Sequence, residues 1–248
     1  MDYTALLELN QDQPAEAIVY LDPSSYPDEG QFSMLQKGVN PEPEAFFYPL
    51  CVEWVRSFES CLMHCGAIAL DGRAMVFTGP PGSGKSTHVL RSVLRGAGFL
   101  ADDLGLLSRK NNELVMRPFR EMANVGQQTM DLFPELAKFR NCPIRGEGKY
   151  CVSIPERLGV RAVEAAAPGW MVHITPDDSS HFRRHAIDLR WEGIPHMAWF
   201  LTRPDESRNH FKLLLDWLDS CEPVEVSRGY LREHLDDFLD VFRSQPNV

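Results

Sequence analysis

No window of the 248-residue chain approaches the roughly 18 uncharged apolar residues that a membrane-crossing helix needs. The longest apolar run, Cys61 to Leu70, is short and is interrupted by His64. The N-terminus, MDYTALLELNQDQ, carries acids where a secretory signal would carry Lys or Arg. The expectation is a soluble, cytoplasmic protein. There is no CxxC pair among the six cysteines, no internal repeat and no low-complexity tract. Cys61, His64 and Cys65 lie close together, but the run around them (Leu62, Met63, Gly66, Ala67, Ile68) is that of a buried strand. A strand turns Cys65 away from the His64 face, so the thiols read as small buried residues rather than zinc ligands.

Basic residues are scarce at one end. Residues 1–60 hold eleven acids against two bases, Lys37 and Arg56. That segment accounts for −9 of the formal net charge of −10, and the remainder is close to neutral. Six prolines between Pro14 and Pro49 break residues 1–49 into short pieces. The division expected is an acidic extension or small module over 1–49 and a catalytic domain over 50–248. The acidic total argues against nucleic acid as a partner.

What is present has the pattern of an α/β protein with a mixed sheet. Cys51, Trp54, Val55 and Phe58 fall at helical spacing. A strand over 61–70, an Asp71-Gly72 turn and a strand over 74–78 follow, and the two strands are expected to pair as a hairpin. Next come a Gly-rich loop, a helix over 85–95 stopped by Gly96 and Gly98, and a strand over 99–103. LGLLSR and ELVMRP flank Lys110-Asn111-Asn112 as a second hairpin with an Asn-containing turn. A short helix around 130–139, strands at GWMVHIT, AIDLRW and MAWFLT, and two C-terminal amphipathic helices complete the reading. The five tryptophans, 54, 170, 191, 199 and 217, sit in apolar-periodic contexts and read as core.

The sharpest feature is GPPGSGKST: Gly79, Pro80, Pro81, Gly82, Ser83, Gly84, Lys85, Ser86 and Thr87. It fits G-x-x-x-x-G-K-[ST], and the spacing has a physical cause. Glycines let the backbone N–H groups turn inward as a nest for phosphate oxygens at a helix start. The lysine reaches the outer phosphates as a point charge, and the Ser86 hydroxyl is placed for Mg²⁺. An apolar strand, AMVFT, precedes the run and an apolar-periodic helix follows it, in the order the mechanism requires. Nothing resembles the base-reading run N-K-x-D of G proteins, so ATP is the expected nucleotide.

After the helix, GFLADDLGLL places Asp102 and Asp103 at the C-terminal end of a strand. In open α/β sheets that edge is where ligands bind. One carboxylate could hold Mg²⁺ and the other accept the proton of an attacking hydroxyl; equally, either could be a turn acid at a strand end. His64 is by itself as well explained as a hydrogen-bonded core histidine. Its orientation depends on strand register.

Taken together, LMHCGAIALDGRAMVFTGPPGSGKST followed by a helix and FLADD resembles the catalytic domain of the HPr kinase/phosphorylase family. The resemblance is dense over 61–120, including MRPF at 116–119, and fades beyond. It implies a fold akin to phosphoenolpyruvate carboxykinase and ATP- and Mg²⁺-dependent phosphorylation of a serine hydroxyl. On that model Asp103 is the general base and Asp102 assists it or contacts the metal. His64 orients the acceptor or the base, Ser86 binds Mg²⁺ and Lys85 the phosphates. The family's E-[VI]-R-G-[LIM]-G run has no convincing match, IRGEG at 144–148 being at best a remnant, which argues against phosphorolysis. The first 60 residues do not look like that family's N-terminal domain, so the acceptor implied is a peptide, a different small protein or a small molecule. A homo-oligomer is compatible with this reading. So is a regulatory module that binds nucleotide and phosphorylates nothing. Arg117, Arg120, Lys149, Arg183 and Arg184 are further cations that could meet a phosphate, and as readily solvated surface charges.

Overall fold

Continuous apolar runs at Ala67–Leu70 and Ala74–Phe77 bury both of their faces, and the architecture follows from what covers each one. The computed structural model describes residues 60–119, 121–142, 144, 148–160, 162–184 and 204–243. All but Ser60 belong to the unit Cys61–Val248. The acidic module over 1–49, the helix expected over 51–58, the AIDLRW and MAWFLT strands and Trp54, Trp191 and Trp199 lie outside the described residues.

The strands are β1 (Cys61–Met63), β2 (Gly66–Leu70), β3 (Arg73–Thr78), β4 (Gly98–Ala101), β5 (Gly105–Lys110), β6 (Glu113–Pro118), β7 (Met122–Gly126), β8 (Lys149–Ser153), β9 (Ala167–Thr175), β10 (Phe182–Arg184) and β11 (Glu222–Ser227). The helices are α1 (Lys85–Leu94), α2 (Gln127–Leu132), α3 (Ile154–Leu158), α4 (Pro204–Ser220) and α5 (Arg228–Arg243), with a 3₁₀ segment at Pro134–Asn141. A six-stranded mixed sheet runs β10-β11-β9-β3-β2-β4. Within it β3, β9 and β11 are parallel neighbours. Strand β2 is antiparallel to both β3 and β4, so β4 shares the β3 direction.

One face of this sheet carries Ile68, Phe77, Phe99, Trp170 and Val172 against Val89 and Leu90 of α1 and Leu235, Phe238 and Phe242 of α5. Each such side chain taken out of water contributes about 1.5–3 kcal/mol. The opposite face carries Ala67, Val76, Leu100 and Met171 against Leu214 and Trp217 of α4 and the small sheet β1-β5-β6. Trp170 and Trp217 are thus core, as their context implies.

Several elements differ from the sequence reading. The helix expected around 130–139 is instead α2, ending at Leu132, and the 3₁₀ segment that starts at Pro134. The expected strand over 61–70 is two strands in different sheets, because the chain leaves the ladder at His64 and Cys65. His64 therefore sits at a strand break rather than within a strand. The strand expected to reach residue 103 ends at Ala101. EPVEVS, with polar residues at 222, 225 and 227 and carrying Pro223, is a parallel strand between two helices, held by Val224 and Val226. The β2–β3 hairpin forms as expected, with Asp71 at φ 48° and Gly72 at φ 79°. So does β5–β6, where Asn111 and Asn112 both adopt positive φ, as a two-residue hairpin turn requires.

Candidate phosphate-binding and catalytic site

Because β3, β4, β9 and β11 run the same way, their C-terminal ends meet at one edge of the sheet. That edge collects the loop after Thr78, the acids after Ala101 and the start of the antiparallel strand β2. Gly66 opens β2 against α1: a Cβ there would come 2.7 Å from Val89 Cγ2. The same Cβ would lie 3.5 Å from Lys85 Cβ, so the start of β2, two residues after His64, packs against the first residue of α1.

The loop Gly79–Gly84 links β3 to α1. Gly79 has φ 136°, and a Cβ on it would lie 2.5 Å from Ile174 O of β9, so only glycine fits. Gly84 caps α1 in the left-handed conformation. Ser83 N donates to Pro80 O at 3.1 Å. Ser83 Oγ is buried and has no hydrogen-bond partner among the described residues. Pro81 and Gly82 are exposed at the tip. Lys85 Nζ folds back to donate to Gly79 O at 2.8 Å and Pro80 O at 3.2 Å. Burial lowers the Lys85 pKa, the charges of Asp102, Cys65 and Asp103 oppose that, and Lys149 adds to it. Ser86 is half-buried at the first turn of α1, while the Thr87 hydroxyl donates to Thr129 Oγ1 at 3.4 Å.

The two aspartates occupy different environments. Asp102 is fully buried, and its Oδ2 accepts the backbone N–H of Asn124 at 2.6 Å. Asp103 stands at φ 70°, and the Leu104 N–H closes on Asp102 O at 2.8 Å across it. That is a γ-turn, a costly conformation for a residue with a Cβ. It turns the Asp103 carboxylate outward to His64, whose Nε2 lies 3.0 Å from Oδ1. Both side chains are about one-third exposed, at 33% and 29%. The neighbouring Cys65 is buried, and burial chiefly pushes its thiol up to about 12.

Among the described residues, no group of three or more His, Cys, Asp or Glu is arranged to hold a metal ion. A hydroxyl at Ser86 and a carboxylate at Asp102 are the donor set of a Mg²⁺ that takes its remaining oxygens from phosphate and water, so the residues fit that role.

Sequence reasoning did not single out five further residues. Thr78, the last residue of β3, holds His173 of β9 with Oγ1 and Nδ1 3.4 Å apart. Asn124 acts through its backbone, which residue type does not reveal. Beyond β9, Asp177 is held at about 2 by the hydroxyls of Ser179 and Thr175. His181 packs beside it, its Nδ1 2.8 Å from Ser179 Oγ. The other cations divide. Arg184 pairs with Glu222 at 2.8 Å and Arg183 with Glu225 at 3.5 Å, both on the β10–β11 pair. Arg117 lies on β6, and Arg120 is outside the described residues.

No protein-family model matches the chain, and no characterised protein matches it in sequence. Among solved structures, the HPr(Ser) kinase/phosphatase from Coxiella burnetii is similar over 71% of this chain and 97% of its own, with 14% identity and a TM-score of 0.35. Among the described residues, no helix is long and apolar enough to cross a membrane.

Proposed function

We propose that the chain is an ATP- and Mg²⁺-dependent phosphotransferase acting on a hydroxyl, serine in a peptide or small protein being the acceptor favoured. The observation that carries the reading is the Asp103–His64 pair beside the Lys85 loop. A phosphate loop alone supports nucleotide binding. An outward carboxylate, oriented by an imidazole and set next to that loop, is what removal of a proton from an attacking alcohol needs.

Bound ATP supplies the phosphoryl group, and Mg²⁺ offsets its charge. The residues divide the remaining work. Lys85 leaves Gly79 O and Pro80 O to meet phosphate oxygens, and the buried Asp102 keeps it charged. Ser86 and Asp102 are the residues that would face the metal. His64, with the proton on Nε2, donates to Asp103 and holds its carboxylate toward the acceptor. Asp103 takes the acceptor proton as the acceptor oxygen bonds to phosphorus and the bond to the leaving diphosphate breaks.

The test is incubation with γ-labelled ATP, Mg²⁺ and serine-containing peptides, including those encoded beside the gene, with the product identified by mass. A peptide gaining one phosphoryl group supports the reading. Nucleotide binding with no labelled acceptor, undiminished when Asp103 is replaced, would instead favour the regulatory module.

A further inference from the structure

Asn124 meets Asp102 through its backbone, and its side chain has a second task open to it. The Asn124 N–H donates to Asp102 Oδ2 at 2.6 Å. On either side of it in β7, Ala123 and Val125 pack into the core. Faces alternate along a strand, so the Asn124 side chain takes the other face. Its amide oxygen, Oδ1, is buried there and accepts no hydrogen bond among the described residues. Leaving a buried amide oxygen unpaired is costly, and in a native fold such an atom marks a place for water or an ion.

Two anchors hold Asn124 at the phosphate edge. The bond to Oδ2, with N–Cα fixed near 1.5 Å, sets the Asn124 Cα within about 4 Å of the buried carboxylate. Helix α2, which continues directly from β7, is tied by Thr129 to Thr87, the residue after Ser86. The hairpin strand is thus fastened both to Asp102 and to the first turn of α1. Mg²⁺ takes hard oxygen donors, and oxygens sharing one such ion stand about 3 Å apart around it. The Asn124 side chain is long enough to place its amide oxygen at that separation from Asp102. A neutral amide adds a donor there without setting a second negative charge beside a buried carboxylate.

We propose that Asn124 is a third protein ligand of the Mg²⁺, its side-chain oxygen joining the Asp102 carboxylate and the Ser86 hydroxyl. This rests on the Mg²⁺- and nucleotide-binding reading above. Any residue but proline keeps the N–H that Asp102 accepts, so a substitution at 124 tests the side chain alone.

The test is calorimetric binding of ATP to the full chain, once with Mg²⁺ and once with EDTA. Mg²⁺ is expected to tighten ATP binding by the wild type. Asn124→Leu, or Asn124→Ala where leucine does not pack, is expected to lose about tenfold of that tightening, with metal-free ATP binding changed by less than about threefold. Asn124→Asp keeps an oxygen in place and should retain the Mg²⁺ effect. An undiminished Mg²⁺ effect in Asn124→Leu overturns the proposal while leaving nucleotide binding intact. So does an equal loss with and without Mg²⁺, or a loss in Asn124→Asp as large as that in Asn124→Leu. A wild-type chain that binds ATP in neither condition, or binds it no tighter with Mg²⁺, overturns the underlying reading, and this proposal with it.

Discussion

His64 Nε2 lies 3.0 Å from Asp103 Oδ1, joining the strand break before β2 to the turn after β4. The two segments are neighbours because β2 pairs antiparallel with β4, so the start of one meets the end of the other. If Asp103 is the base and His64 positions it, the two should differ in how much they matter. Asp103→Asn is expected to lower turnover about 10²- to 10⁴-fold, and His64→Gln about tenfold. Steady-state kinetics should show both as losses in kcat, with the KM for ATP little changed.

The conformation of Asp103 gives a second expectation. At φ 70° its Cβ is a steric cost that glycine would not have. Asp103→Gly should therefore stabilise the fold by about 1 kcal/mol while abolishing transfer. Urea unfolding measures the first effect and a turnover assay the second.

Asp102 is held for a different reason. Its Oδ2 is the acceptor for the Asn124 N–H in a site closed to water. Asp102→Ala leaves that donor without its partner, and is expected to cost about 1–3 kcal/mol of stability in urea melts. It should also weaken ATP binding, because Lys85 loses the neighbour that most favours its charge.

His88 offers a pH test. It lies buried under Gly84, and burial, with Arg91 and Arg95 nearby, lowers its pKa from 6.5 to about 3. Between those values the unfolded chain takes up a proton that the folded chain refuses. Stability contributed through this group is unaffected above pH 6.5 and falls as pH is lowered through the window, by at most about 1.4 kcal/mol per pH unit. His88→Gln should remove that share of the slope in urea melts taken from pH 7 to pH 4.

How much of this was legible in the sequence depends on what fixes each part. The Gly79–Thr87 run was readable because backbone geometry there demands particular residues: the Gly79 Cβ position is taken by Ile174 O. Helix α5 was readable because Leu231, Leu235, Phe238 and Phe242 repeat at its period. The strand break at His64 was hidden because apolar residues continue on both sides of it, and Cys65 is as buried as the strand residues that follow. Asp102 and Asp103 were visible as a pair, but their separate roles come from the γ-turn and from a backbone donor on β7, and neither leaves a mark in residue type. Strand β11 escaped because its burial on one face needs only Val224 and Val226. His173 was hidden because its partner, Thr78, is set by parallel register between segments far apart in the chain.

The central claim is that Asp103 takes a proton from an acceptor hydroxyl as phosphate is transferred. The most direct measurement is a single-turnover reaction with γ-labelled ATP, Mg²⁺ and a phosphorylatable peptide, comparing the wild-type chain with Asp103→Asn at equal nucleotide occupancy. The account predicts that label moves to the peptide serine in the wild type and that the rate falls about 10²-fold or more in the variant. Transfer at the wild-type rate by a folded, nucleotide-saturated Asp103→Asn chain would contradict it.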